Sequence, residues 1–130
     1  MGTVRELRLV LTVSDFDAAV ALYRDALGLE EQEAWEDQAG RIALLAAGNA
    51  TIELVDEAQA EAIDRIEVGR RVAGPVRIAF EVEDSAAAAE RLTLAGAELV
   101  AGPVVTPWHD RNVRLRTPDG TQLTLFSPVG

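Results

Sequence analysis

From Val4 to Val13 apolar and polar positions alternate, placing Leu7, Leu9, Leu11 and Val13 on one face, as in a half-buried strand. Ser14 followed by Asp17 predicts a capping-box-like helix start, with Asp where Glu or Gln is usual. Phe16, Ala19, Val20, Tyr23, Ala26 and Leu27 then recur at helical spacing, and Gly28 stands at a C-cap position. Three strands are predicted next, Glu30–Glu36, Arg41–Ala47 and Ala50–Val55, separated by turns at Asp37-Gln38-Ala39-Gly40 and Gly48-Asn49. The charged, Ala-rich stretch from Asp56 to Pro75 predicts a surface helix over about Glu57–Ile66, then a Gly69–Gly74 tail.

The second half repeats the order. Val76–Val82 is a predicted strand, and Ser85–Ala95 a helix with Ala88, Ala89, Leu92 and Ala95 inward and Gly96 as its C-cap. Glu98–Val105 is a strand ended by Pro103 and Pro107, and Val113–Thr117 pairs with Gln122–Phe126 across Pro118-Asp119-Gly120. Beneath this order lies a weak internal repeat. Arg8-Leu9-Val10-Leu11-Thr12-Val13-Ser14-Asp15 matches Arg77-Ile78-Ala79-Phe80-Glu81-Val82-Glu83-Asp84, with both Arg and Asp 69 positions apart. The expected architecture is α+β: one domain, 1–130, of two βαβββ modules (3–55 and 76–128) joined by a connector (56–75).

Composition narrows the chemistry. The chain has no cysteine, which removes disulfides, thiolate nucleophiles, zinc–thiolate sites and iron–sulfur clusters. All 12 basic residues are arginine, so no lysine is present for Schiff-base chemistry, and His109 is the single histidine. A net charge of −10 argues against nucleic acid, whose phosphates need basic patches, and favours a cationic ligand through field steering. Solubility alone also explains an acidic surface. No apolar run approaches a membrane span and no signal-peptide core is present, so a cytoplasmic protein without membrane contact is expected.

Two stretches carry candidate binding chemistry. On an unbroken strand Glu31, Glu33, Trp35 and Asp37 share one face. An aromatic ring flanked by carboxylates suits a flat cation; the same charges also suit a solvated edge strand. Trp108-His109-Asp110-Arg111 lies before the last hairpin, where His109 beside Asp110 is either a base oriented by a carboxylate or a surface histidine.

Leu11-Thr12-Val13-Ser14-Asp15 leading into Ala21-Leu22-Tyr23-Arg24-Asp25-Ala26-Leu27-Gly28-Leu29 resembles the glyoxalase/bleomycin-resistance/extradiol-dioxygenase (vicinal oxygen chelate) superfamily. Pro107-Trp108 and Arg114-Leu115-Arg116-Thr117-Pro118-Asp119-Gly120 extend the resemblance over nearly the whole chain. It implies paired modules curving around a shared cavity, often completed by a homodimer partner. In the metal enzymes of the family, histidines on the first strands and carboxylates on the last strands hold a divalent ion. Those positions correspond to Arg8, Arg77, Glu53 and Thr124. A guanidinium offers no lone pair and stays protonated, and two fixed cations repel a metal. The resemblance thus points to a metal-free branch without cofactor.

For Arg8, Arg77 and Glu53 three arrangements are open: an internal ion pair, an anion hook formed by two arginines against one glutamate, or outward-facing arginines. The expected function is a metal-free binding protein of the bleomycin-resistance type, holding an aromatic or heterocyclic ligand of cationic or mixed charge, an antibiotic among the options. The expected ligand-binding set is Arg8, Trp35, Glu53, Arg77, Trp108 and His109. The alternatives are a metal-independent isomerase, cyclase or lyase using Glu53 or His109 as acid–base group, and then a metal-dependent glyoxalase or dioxygenase.

Overall fold

The computed structural model describes residues 4–129, so residues 1–3 and 130 of the expected domain lie outside the described residues. Its strands are β1 (Glu6–Val13), β2 (Glu30–Glu36), β3 (Arg41–Ala47), β4 (Ala50–Asp56), β5 (Val76–Glu81), β6 (Glu98–Val105), β7 (Asp110–Arg116) and β8 (Gln122–Pro128). They form one curved mixed sheet in the order β2-β3-β4-β1-β5-β8-β7-β6. The helices are α1 (Phe16–Val20), α2 (Glu57–Glu67) and α3 (Ser85–Leu94). The first and last strands of each module run parallel, and β1 meets β5 antiparallel at the centre. In that central ladder Arg8 is opposite Ala79 and Val10 is opposite Arg77, so the repeated arginines come to rungs two apart, on one face of the sheet.

The outer face is built twice from the same alternation. Leu11 and Val13 join Phe16, Val20, Ala43, Leu45 and Leu54 beneath α1. Ile78 and Phe80 join Val82, Ala88, Ala89, Val113, Leu115 and Leu125 beneath α3. The repeated aspartates are helix caps: Asp15 accepts from the Ala18 amide and Asp84 from the Ala87 amide. Asp15, not Ser14, therefore caps the first helix.

Four expectations change in the structure. After Val20 the chain widens into a π-helical turn over Ala21–Ala26, where Leu27 N–H donates to the Leu22 carbonyl. The period slips there; Leu27 is exposed and Leu29 packs in its place. Ala95 likewise lies one residue past α3 and is exposed. β6 continues through Pro103, because its ladder shifts register between Ala101 and Val104 and asks no amide of that residue.

The fourth change concerns the connector. α2 is not a surface helix: Gln59, Ala60, Ile63, Asp64 and Glu67 are buried against the inner face of the sheet. Ala60 and Ile63 pack with Val10, Ile42, Val55, Ala79 and Phe126, which come from both modules. Beside them Arg114 of β7 is wholly buried. It donates to Asp64 at 2.9 Å and to Glu67 at 2.8 Å. The other Asp64 oxygen accepts the Val72 and Ala73 amides, both at 2.8 Å, and so fastens the glycine-flanked tail behind the helix. A buried guanidinium without such partners is prohibitively costly, so these carboxylates decide where α2 lies.

Burial pushes the Asp64 carboxyl up, but the two amides and Arg114 outweigh it and hold the group below its ordinary value of 3.8. The stability it contributes is therefore complete above that value and lost as pH falls through the lower native one. We expect Asp64→Ala to cost about 3–5 kcal/mol, the usual loss when one partner of a buried ion pair is removed. Urea unfolding at neutral pH measures it, and as pH falls below about 4 Asp64→Asn should lose stability less steeply than the parent.

Candidate functional site

The inner face left open by α2 encloses a cavity of about 330 Å³. Its floor is Arg8 and Val10 of β1, Arg77 and Ala79 of β5, Glu53 of β4, and Thr124 and Phe126 of β8. Gln59, Ile63 and Glu67 of α2 form one side. Glu33, Trp35 and Asp37 of the first module and Trp108, Asp110 and Asn112 of the second complete it. Trp35 and Trp108 keep 42% and 45% of their surface exposed while lining the cavity, so they stand at its mouth, one from each module.

The two repeated arginines face inward, and their surroundings differ. Arg8 donates to Glu6 at 2.9 Å and to Glu53 at 3.3 Å, and its guanidinium lies 5.1 Å from the Phe126 ring centre. It is the internal ion pair. Arg77 is buried beside Thr124, to which it donates at 2.7 Å, and among the described residues it has no ion pair. Burial pulls its guanidinium below its ordinary value and the Arg114 charge adds to this, against Glu67, Glu53 and Asp64. The difference follows from the last strands: where β4 offers a carboxylate, β8 offers a hydroxyl.

Glu33, Trp35 and Asp37 share the cavity face, but Glu31 does not. Glu31 pairs with Leu45 and Glu33 with Leu44, so Gln32 is the extra residue of a β-bulge. Glu31 thereby turns to the helix-covered face, where Arg24 donates to it at 3.0 Å. His109 is the other candidate the structure leaves aside. It lies at φ 68° on the turn between β6 and β7, exposed and outside the cavity lining. Its neighbour Asp110 does line the cavity, and burial pushes its carboxyl up, with Glu81 adding and Arg8 and His109 opposing.

Sequence reasoning missed Asn112, Glu67 and Arg114. The signal was present as polar residues alternating with Val113 and Leu115, and as acids on the Ala60–Ile63 stripe of α2. Each polar side looks solvent-facing until the other is known to cover it. Asn112 donates from Nδ2 to Glu67 at 2.9 Å, and its buried Oδ1 has no partner among the described residues.

A tandem βαβββ sheet with its cavity between the modules defines a class of protein. The sequence matches the family model of the Glyoxalase/Bleomycin resistance protein/Dioxygenase superfamily over residues 7–125, and the chain belongs to that superfamily. Its fold is similar to that of methylmalonyl-CoA epimerase from Mycobacterium tuberculosis, with 25% identity over 98% of this chain and 90% of that one (TM-score 0.68). Methylmalonyl-CoA epimerase from Streptomyces coelicolor, solved with 2-nitronate-propionyl-CoA, is 21% identical over 98% of this chain and 100% of that one (TM-score 0.69). A hypothetical protein from Bacillus halodurans is 18% identical over 99% and 96% (TM-score 0.68). No curated protein matches the sequence.

The four positions that would hold the family's metal are Arg8, Arg77, Glu53 and Thr124, and they do not fit one. Glu53 and Thr124 are acceptors for the two guanidinium groups, which themselves carry no lone pair. Among the described residues no group of three His, Cys, Asp or Glu side chains is placed to hold an ion. Purified protein should therefore carry no stoichiometric divalent metal by inductively coupled plasma mass spectrometry. Calorimetric titration with zinc or nickel should give no saturable heat; tight binding at one equivalent would overturn this reading of the donor set.

Proposed function

We propose that this chain is a metal-free binding protein of the bleomycin-resistance type, holding a planar aromatic or heterocyclic cation in the cavity of a homodimer. The observation that carries the proposal is the mouth: Trp35 and Trp108 face the opening, with Glu33, Asp37 and Asp110 beside them. Along the whole lining two cations stand against five carboxylates. Stacking, cation–π attraction and Coulomb attraction then act together on a flat cation. Sequestration needs this complementary surface and no catalytic group. Antibiotics of suitable shape fall within that ligand class. No helix among the described residues is long and apolar enough to cross a membrane.

Titration with proflavine, a planar cation, should quench tryptophan fluorescence and saturate near one ligand per cavity. Trp35→Ala should weaken binding by about tenfold, the loss expected for one stacked cation–π contact. An unsaturable linear quench, unchanged in the variant, would rule out the proposal.

A second reading, metal-independent proton transfer, is supported by Asp110. A carboxyl with a raised pKa inside a cavity suits a general acid or base, and solved relatives of similar fold include methylmalonyl-CoA epimerases. On this reading Asp110 takes the role first given to Glu53 or His109, since Glu53 is bound by Arg8 and His109 lies outside the lining. Methylmalonyl-CoA incubated with the protein in heavy water should then gain deuterium at its acidic carbon, at a rate Asp110→Asn lowers at least 100-fold. No exchange above the buffer rate sinks this reading.

A further inference from the structure

The inner end of the cavity, away from the tryptophans, holds two side chains whose hydrogen-bonding capacity is not used within the protein. Arg77 and Asn112 are each more than nine-tenths buried, and both line the cavity. Arg77 carries five N–H donors, of which the structure engages one, through Thr124. Asn112 Oδ1 is a buried acceptor with no partner among the described residues. Which end of that amide is oxygen follows from chemistry: the carboxylate that pairs with Arg114 accepts only, so it must face Nδ2, and Oδ1 is left over.

The two groups are held around one carboxylate. Thr124 accepts from Arg77 and donates to Glu67 Oε1 at 3.2 Å, while Asn112 donates to Glu67 Oε2 at 2.9 Å. A ligand group reaching this end meets a cationic donor and a neutral acceptor, both tied into the hydrogen bonds of Glu67. A carboxylate satisfies Arg77 but sets its oxygens against Asn112 Oδ1 and the charges of Glu67 and Glu53. An ester or ketone satisfies Arg77 and leaves Oδ1 unpaired. A primary carboxamide has a carbonyl for the first and an N–H for the second, and adds no charge to a wall already rich in carboxylates.

We propose that this end is a subsite for a primary carboxamide, with the amide oxygen on Arg77 and an amide N–H on Asn112 Oδ1. This rests on the binding reading above, since the aromatic cation at the mouth carries the amide inward. The test uses three probes sharing one planar 1-benzylpyridinium ring: the 3-carbamoyl cation, its 3-methoxycarbonyl analogue and its 3-carboxylate analogue. Affinity is read by tryptophan quenching on the wild-type protein and on Asn112→Ala, with circular dichroism to confirm that the variant is folded.

The amide should bind wild type at least tenfold more tightly than the ester or the carboxylate, the value of one buried hydrogen bond. In Asn112→Ala the amide should fall to the level of the ester. Equal binding of amide and ester to wild type overturns the subsite and leaves the aromatic site standing. Tightest binding of the carboxylate also overturns it, and makes Arg77 an anion hook. Binding of none of the three at millimolar concentration overturns the subsite and counts against the aromatic site as well. If Asn112→Ala does not fold, the wild-type series decides alone.

Discussion

A guanidinium cannot shed its charge when it is buried, so a fold that buries Arg114 completely must bring carboxylates to it. The two that come, Asp64 and Glu67, stand one turn apart on α2, and they fix that helix on the inner face of the sheet. Much follows from this placement. With α2 there, Ala60 and Ile63 seal the floor between the modules, Gln59 and Glu67 become cavity wall, and the tail behind the helix is pinned by Asp64. The segment that joins the duplicated halves is thus also the part that breaks their equivalence, because there is one connector for two modules.

That asymmetry reaches the repeated arginines. Arg8 and Arg77 are equivalent in the chain, in the strand and across the central ladder. One is neutralised by Glu6 and Glu53, while the other keeps most of its donors and lies near a second cation, Arg114. Duplication supplies two copies of a position; the last strand of each module decides what the position does. A carboxylate on β4 makes a structural pair, and a hydroxyl on β8 leaves donors for something else.

The outer half of the molecule was legible in the sequence because it obeys simple periods. Leu11 and Val13 of β1, Ile78 and Phe80 of β5, and the caps at Asp15 and Asp84 all follow from alternation and repeat. The inner half was legible only in part. Arg8, Trp35, Glu53, Arg77 and Trp108 were named from pattern and resemblance, and they do come together. Asn112, Arg114, Asp64 and Glu67 are polar residues that hide one another, and nothing in either segment alone tells a covered polar face from a wet one. His109 was singled out for its residue type, and the left-handed turn it occupies directs it elsewhere.

The bulge at Gln32 has a consequence for how this cavity can change. Along an edge strand whose seven residues are all exposed, little packing energy opposes a slip of register. A one-rung slip that takes Gln32 into the ladder opposite Leu45 would restore the plain alternation and bring Glu31 round to the side of Glu33 and Trp35. That slip would add a carboxylate to the cavity mouth and release Arg24 from its partner. The charge of the cavity mouth thus depends on the pairing of one rim position, which can change while every residue of the core stays as it is.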